Sequence, residues 1–202
     1  MVFVKICGIA HLEDALAAAA AGADAVGFNF WKPGKRYVAP QKAAEIAAHL
    51  ALKKVGVFVD EEIATVLDIA REVGLEVLQL HGAETPPSVR QLAPYEVWKA
   101  VKMDHPVAWA SWGVSTFLLD SPGALPGGTG ATFDWSLAEA AKAHGRVILA
   151  GGLNPENVAD AVRRVRPWGV DVASGVEASP GRKDHRKIQA FVRAARAAAE
   201  AA

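Results

Sequence analysis

The chain has 202 residues and a single cysteine, Cys7. One thiol cannot form an internal disulfide, so a reducing compartment is predicted. Net charge is absent too, with Lys plus Arg and Asp plus Glu each numbering 22. That balance removes the electrostatic case for nucleic acid or an acidic membrane surface as partner. The small apolar run ALAAAAAGA, from Ala15 to Ala23, falls well short of the roughly 20 residues a membrane helix requires. Lys5 interrupts the apolar start and no cleavage pattern follows, so no secretory leader is expected. The histidines are scattered, without H-x-x-H-type spacing, and no metal site is predicted. Neither G-x-G-x-x-G nor a P-loop is present. These absences describe a soluble cytoplasmic protein that works without nucleic acid, membrane or metal.

What is there is apolar. Hydrophobic residues make up 51% of the chain against 22% charged, a balance that builds a core and excludes a disordered chain. The length suits one domain over residues 1–202. Short β-rich runs recur throughout: VFVKIC from Val2, AVGFNF from Ala25, KVGVFV from Lys54, VLQLHG from Val77, EVWKAV from Glu96, TFLLD from Thr116, VILAGG from Val147 and GVDVASG from Gly169. Most are nearly continuous in hydrophobicity, as parallel strands buried on both faces require. Helical stretches lie between them. Gly22 is placed to end the first, Pro40 to open the second, and Asn154 with Pro155 to start the one after the seventh strand. A last helix is expected from about Asp184. After the fifth strand, MDHPVAWASWGVS is too short for a full helix with its loops, so a stunted helix or irregular turn is expected. Eight βα repeats without a linker predict an α/β fold, the (β/α)₈ TIM barrel, over a doubly wound sheet.

Chemistry in such barrels sits at the C-terminal ends of the strands. Those ends bring forward Cys7, Asn29 with Phe30, Asp60, His81, Lys102 with Met103, Asp120, Gly151 with Gly152, and residues 173–175. The glycine-bearing loops after strands seven and eight predict a phosphate site, with the amides of Gly152, Ser174 and Gly175 as donors. The long loop after strand two carries Lys32, Lys35 and Arg36, and Arg36 has the planar fork that clamps a carboxylate. Cys7 and Asp120 end strands on different sides of the mouth. A thiol can lose a proton near neutral pH, and a desolvated carboxyl can hold one, a pairing suited to abstraction and donation across a small substrate. His81 is either a substrate contact or a structural histidine. Lys5 shares a strand face with Cys7; pointing inward, it is buried and needs a partner, for which Asp171 is the candidate.

Five stretches carry a resemblance to a known family: VKICGI at Val4, LLDS at Leu118, GGTGATFDW at Gly127, AGGLNPENV at Ala150 and GVDVASGVEASPGRKD at Gly169. Together, in this order and covering nearly the full chain, they resemble the phosphoribosylanthranilate isomerases. The resemblance implies a (β/α)₈ enzyme of tryptophan biosynthesis. Its reaction is the Amadori rearrangement of a small phosphorylated aminoaldose, N-(5'-phosphoribosyl)anthranilate, and needs no cofactor. By residue, it implies Cys7 as base, Asp120 as acid, Arg36 as carboxylate anchor and Asp171 near the ribose hydroxyls. The aromatic and two lysines in FNFWKPGKR depart from the smaller polar residues often found there. A monomer or homodimer is expected. Two other readings are kept: a non-catalytic phosphate-ligand-binding barrel, and another sugar-phosphate isomerase or aldolase barrel. The aldolase would need Lys99 or Lys102 for a Schiff base.

Overall fold

The computed structural model describes residues 1–102, 108–120 and 138–201. Eight parallel strands follow one another in space as in sequence: β1 (Phe3–Cys7), β2 (Ala25–Asn29), β3 (Lys53–Phe58), β4 (Val77–Leu80), β5 (Glu96–Lys102), β6 (Thr116–Asp120), β7 (Arg146–Leu149) and β8 (Gly169–Val172). The pairing that excludes an open sheet is β8 with β1, where Phe3 faces Gly169 and Lys5 faces Asp171. The ring is closed.

Helices α1 (Leu12–Ala20), α2 (Pro40–Ala47), α3 (Ile63–Val73), α4 (Pro86–Arg90), α5 (Ala138–Lys142), α6 (Val158–Val165) and α7 (His185–Glu200) alternate with the strands. Gly22 follows α1 at φ +84°, in the left-handed conformation glycine adopts freely. Pro40 occupies the first turn of α2. Asp184 caps α7, its carboxylate accepting from the amides of Arg186 and Lys187. Asn154 serves a turn earlier than expected. Its side chain accepts from the amides of Glu156 and Asn157, and regular α-helix starts only at Val158. The connection after β5 is reduced, among the described residues, to a single 3₁₀ turn at Trp109–Ser111. Met103, Ser121 and the stretch 127–135 lie outside the described residues.

Two features were not legible beforehand. The short α4 has Pro86 in its first turn. Past β8, a 3₁₀ turn at Ser174–Val176 leads into a small antiparallel hairpin, β9 (Glu177–Ser179) with β10 (Arg182–Lys183).

Two apolar clusters organise the molecule. The larger fills the space between sheet and helices. The smaller lies inside the barrel and takes Ala25, Val55, Val77, Trp98, Leu118 and Ile148 from successive strands. Phe3, Trp98 and Trp168 plug its N-terminal end, Phe3 stacked on Trp168 at 4.5 Å and Trp98 edge-on to both. Strand side chains alternate between faces. The inward parity that begins at Phe3, Val77, Thr116 and Gly169 therefore delivers Cys7, His81, Asp120 and Asp171 to the opposite, open end.

Candidate active site

A cavity of about 700 Å³, counting its open mouth, occupies that end. Cys7 and Asp120 both line it, together with Arg36 from the loop after β2 and His81 from the end of β4. Gly152, Asp171 and Ser174 complete the set of expected residues on its wall. Gly175 does not line the cavity; its contribution is steric. A Cβ there would lie 1.9 Å from the Leu153 carbonyl oxygen, so only glycine lets the loop after β8 close on the loop after β7. Asn157 steadies the latter by donating to the Gly152 carbonyl at 2.9 Å.

A set of charges lies at and behind the cavity wall, with Lys5, Asp171, Glu177 and Lys183 buried and Arg36 partly exposed. Lys5 Nζ donates to Asp171 Oδ1 at 2.9 Å, with its own side chain fully buried. Burial alone would lower the Lys5 ammonium pKa; the Asp171 carboxylate and Cys7 outweigh it, and the net shift is upward. Arg36 gives its Nε and Nη2 edge to Glu177 at 2.7 and 2.8 Å. Glu177 also accepts from Lys183 Nζ at 3.2 Å. Burial opposes ionisation of Glu177, but the Arg36 hydrogen bonds and the Lys183 charge hold its pKa below the usual carboxylate range. Burial lowers Lys183 despite Glu177. Lys5, Lys183 and Arg36 all feel the Cys7 charge. Three cations against two anions leave this corner one positive charge in excess, which a Cys7 thiolate would neutralise.

The thiol itself differs from the sequence-based expectation of an ordinary value. Cys7 is only partly exposed at the cavity floor, and burial pushes its pKa up; Lys5 opposes this and Asp171 adds to it. Arg36 differs too. The side edge of its fork is committed to Glu177, which leaves the end-on edge, Nη1 and the second Nη2 hydrogen, to meet a ligand carboxylate.

Three positions missed from sequence hold this arrangement open or tie it together. A Cβ on Gly27 would lie 2.8 Å from Cys7 Sγ and 3.0 Å from Lys5 Cε. A Cβ on Gly8 would meet Arg36 Cδ at 2.5 Å. Gln79, buried and on the wall, lies 3.0 Å from His81 Nδ1, while His81 Nε2 lies 3.1 Å from Asp120 Oδ2. Asn29, at the end of β2, and Trp31, in the long loop that follows, line the cavity, whereas Lys32 and Lys35 are exposed.

The aldolase alternative loses its lysines. Lys99 belongs to the outward parity and is held by the Gly82 carbonyl and the Glu84 carboxylate, each at 2.7 Å. Lys102 does not line the cavity. Asp60, another strand-end candidate, is a loop brace, its Oδ1 accepting from the Ala83 amide.

Comparison with known proteins is consistent with this geometry. Residues 4–194 match the family model described as N-(5'phosphoribosyl)anthranilate (PRA) isomerase. A relative of that name from Geobacter sp. (strain M21) is 50% identical over 199 residues, 95% of this chain and 97% of its own. A solved structure of monomers generated from the dimeric phosphoribosylanthranilate isomerase of Thermotoga maritima is 44% identical. It superposes with a TM-score of 0.88 over 98% of this chain and 100% of that one. The same identity, TM-score and coverage hold for a structure of the isomerase in complex with reduced 1-(o-carboxyphenylamino)-1-deoxyribulose 5-phosphate. With a full barrel, a matched family model and half its residues shared with such a relative, the chain belongs to the N-(5'-phosphoribosyl)anthranilate isomerase family.

Proposed function

We propose that this chain catalyses the Amadori rearrangement of N-(5'-phosphoribosyl)anthranilate to 1-(2-carboxyphenylamino)-1-deoxyribulose 5-phosphate in tryptophan biosynthesis, with Cys7 as general base and Asp120 as general acid. The observation that carries this reading is the one cavity whose wall holds Cys7, Asp120 and Arg36 together. Asp120 in its protonated form gives its proton to the furanose ring oxygen. The bond from C1' to that oxygen breaks as the anilino nitrogen forms a Schiff base. Cys7, as thiolate, takes the C2' proton and leaves an enolamine, which gains a proton at C1' and gives up the proton of its 2'-hydroxyl to become the ketone. The imine nitrogen accepts the electron pair, so the chemistry needs only positioned acid–base groups.

The thiolate is a minority species in the ligand-free protein at neutral pH, because burial raises the Cys7 thiol. Lys5 is the nearest compensation. Its ammonium opposes that shift by charge and by hydrogen bonding, and it stays protonated through its Asp171 partner.

The substrate's two charged ends meet separate groups on the cavity wall, Arg36 and the loops after β7 and β8. Arg36 receives the anthranilate carboxylate on its end-on edge. The phosphate lies against the loops after β7 and β8, where the backbone of Gly152 and the 3₁₀ turn that begins at Ser174 supply N–H donors and Gly175 permits their close approach. Binding energy at both tips is spent on holding C2' against Cys7. Asp171 retains one oxygen for a ribose hydroxyl, the other being committed to Lys5. The chain acts as one catalytic domain over residues 1–202, in the cytoplasm, as a monomer or as a homodimer like the Thermotoga maritima relative.

Steady-state turnover tests the reading. Purified protein mixed with N-(5'-phosphoribosyl)anthranilate is expected to consume the compound's fluorescence with saturation kinetics. A fluorescence shift on binding without consumption would instead identify a phosphate-ligand-binding barrel.

A further inference from the structure

We propose that Gln79 and His81 are positioning residues that act on Asp120, fixing which of its two carboxyl oxygens carries the transferable proton. The inference rests on the reading of Asp120 as the acid.

The three side chains form a line along the inner face of the barrel. Gln79 and His81 are two residues apart at the end of β4, so both point inward. Gln79 Nε2 is 3.0 Å from His81 Nδ1, and His81 Nε2 is 3.1 Å from Asp120 Oδ2. Gln79 and Asp120 are both almost fully buried, at 1% and 3% exposed. Gln79 Oε1 has no hydrogen-bond partner among the described residues, so the amide keeps its place at the cost of an unsatisfied acceptor, roughly 1–3 kcal/mol. The end of the amide that has a use is its nitrogen, 3.0 Å from His81 Nδ1.

That use is the histidine tautomer. An amide N–H donating to Nδ1 requires Nδ1 to be the unprotonated nitrogen, which puts the ring hydrogen on Nε2. Nε2–H then donates to Asp120 Oδ2. A protonated carboxyl accepting there must carry its own hydrogen on Oδ1. With the amide reversed, Oε1 would accept from Nδ1–H and Nε2 would become an acceptor. The acid proton would then sit on Oδ2, tied to His81 and withheld from the substrate. With the amide nitrogen toward Nδ1, the proton is directed to Oδ1. When the O–H bond breaks and the proton passes to the ring oxygen, the Nε2–H is already in place against the new carboxylate. His81 donates to Asp120 throughout, and its own proton never leaves.

The test combines kinetics with a spectroscopic reading. His81→Asn is expected to lower kcat by about 10-fold to 10²-fold, the scale of a misplaced catalytic group, with KM within about twofold. Gln79→Met, which keeps the volume and removes the donor, should lower kcat by a smaller factor in the same pattern. In an Asp120→Asn background, adding His81→Asn should cost nothing more, because residues acting as a unit are not additive. ¹⁵N shifts of His81 in the wild-type protein should report the neutral Nε2–H tautomer, and Gln79→Met should erode that preference. A raised KM at unchanged kcat in His81→Asn would make His81 a substrate contact and overturn the inference. So would an additive loss in the double variant, or an Nδ1–H tautomer in the wild type. If Asp120→Asn alone keeps wild-type turnover, the acid assignment itself fails, a result distinct from any of these.

Discussion

Gly27→Ala is the sharpest test of how the barrel interior holds the base. The added methyl would stand 2.8 Å from Cys7 Sγ, 3.0 Å from Lys5 Cε and 3.2 Å from Cys7 Cα. Relaxed contacts of this kind sit near 3.5–4.0 Å, so the sulfur must retreat by about 0.7–1.2 Å. It has little freedom to do so, since a swing of about 30° off a rotamer costs about 0.5–1.5 kcal/mol. Overpacking costs about 1–3 kcal/mol, and the lost freedom of glycine in the unfolded chain returns about 0.4–1 kcal/mol. The net destabilisation is therefore about 0–2.5 kcal/mol, and a protein of this size loses about 2–4 °C in Tm per kcal/mol. The catalytic effect should be larger, because a displacement near 1 Å from a reacting position costs about 10²-fold. Thermal unfolding and steady-state kinetics at 25 °C separate the two. The expected variant is folded, a few degrees less stable and strongly impaired in kcat. Wild-type kcat in a folded Gly27→Ala protein would refute the idea that this glycine holds space for the base.

Further outcomes follow from the charges around Cys7. The rate of alkylation of the free protein by iodoacetamide should rise with pH with a midpoint above the ordinary thiol value of about 8.5, since burial raises the Cys7 pKa; a midpoint below that value would contradict it. The same shift contributes stability that is present below the unfolded-state thiol pKa and lost as pH rises through the folded one. Lys5→Met should move the alkylation midpoint further up. It should also lower stability by about 3–5 kcal/mol, because Asp171 is left buried without its cation; an unchanged Tm would show that the pair is dispensable. Arg36→Met should raise KM with little change in kcat, as expected for a contact made equally in ground and transition states. Glu177→Gln should shift KM the same way by a smaller factor, and a collapse of kcat at constant KM in either variant would reassign Arg36.

The barrel was legible because its strands are buried on both faces and read as continuous apolar runs, from VFVKIC to GVDVASG. The same period-two alternation, counted from Lys5 and Cys7, foresaw the buried Lys5–Asp171 pair. The partners that tune the site were less accessible. Glu177 and Lys183 reach Arg36 and Cys7 only because the chain after β8 folds back as a two-stranded hairpin, and charged residues in a glycine-bearing loop read as solvated. Gly27 sits mid-strand, where only the three-dimensional approach of Cys7 and Lys5 reveals its purpose. Gln79 reads as one polar residue in VLQLHG. Its inward parity with His81 was available, but its contact with that ring depends on the closed barrel. The raised thiol pKa required knowing how deeply the cavity floor lies.

The central claim is that Cys7 and Asp120 share the acid–base work of one isomerisation. The most direct measurement is kcat and KM for N-(5'-phosphoribosyl)anthranilate in Cys7→Ala and Asp120→Asn beside the wild type, with folding checked by circular dichroism. Each variant is predicted to stay folded, to keep KM within a few-fold and to lose about 10²-fold or more in kcat. Near-wild-type kcat in either folded variant would contradict the account, returning Cys7 to core packing or assigning ring opening to another group.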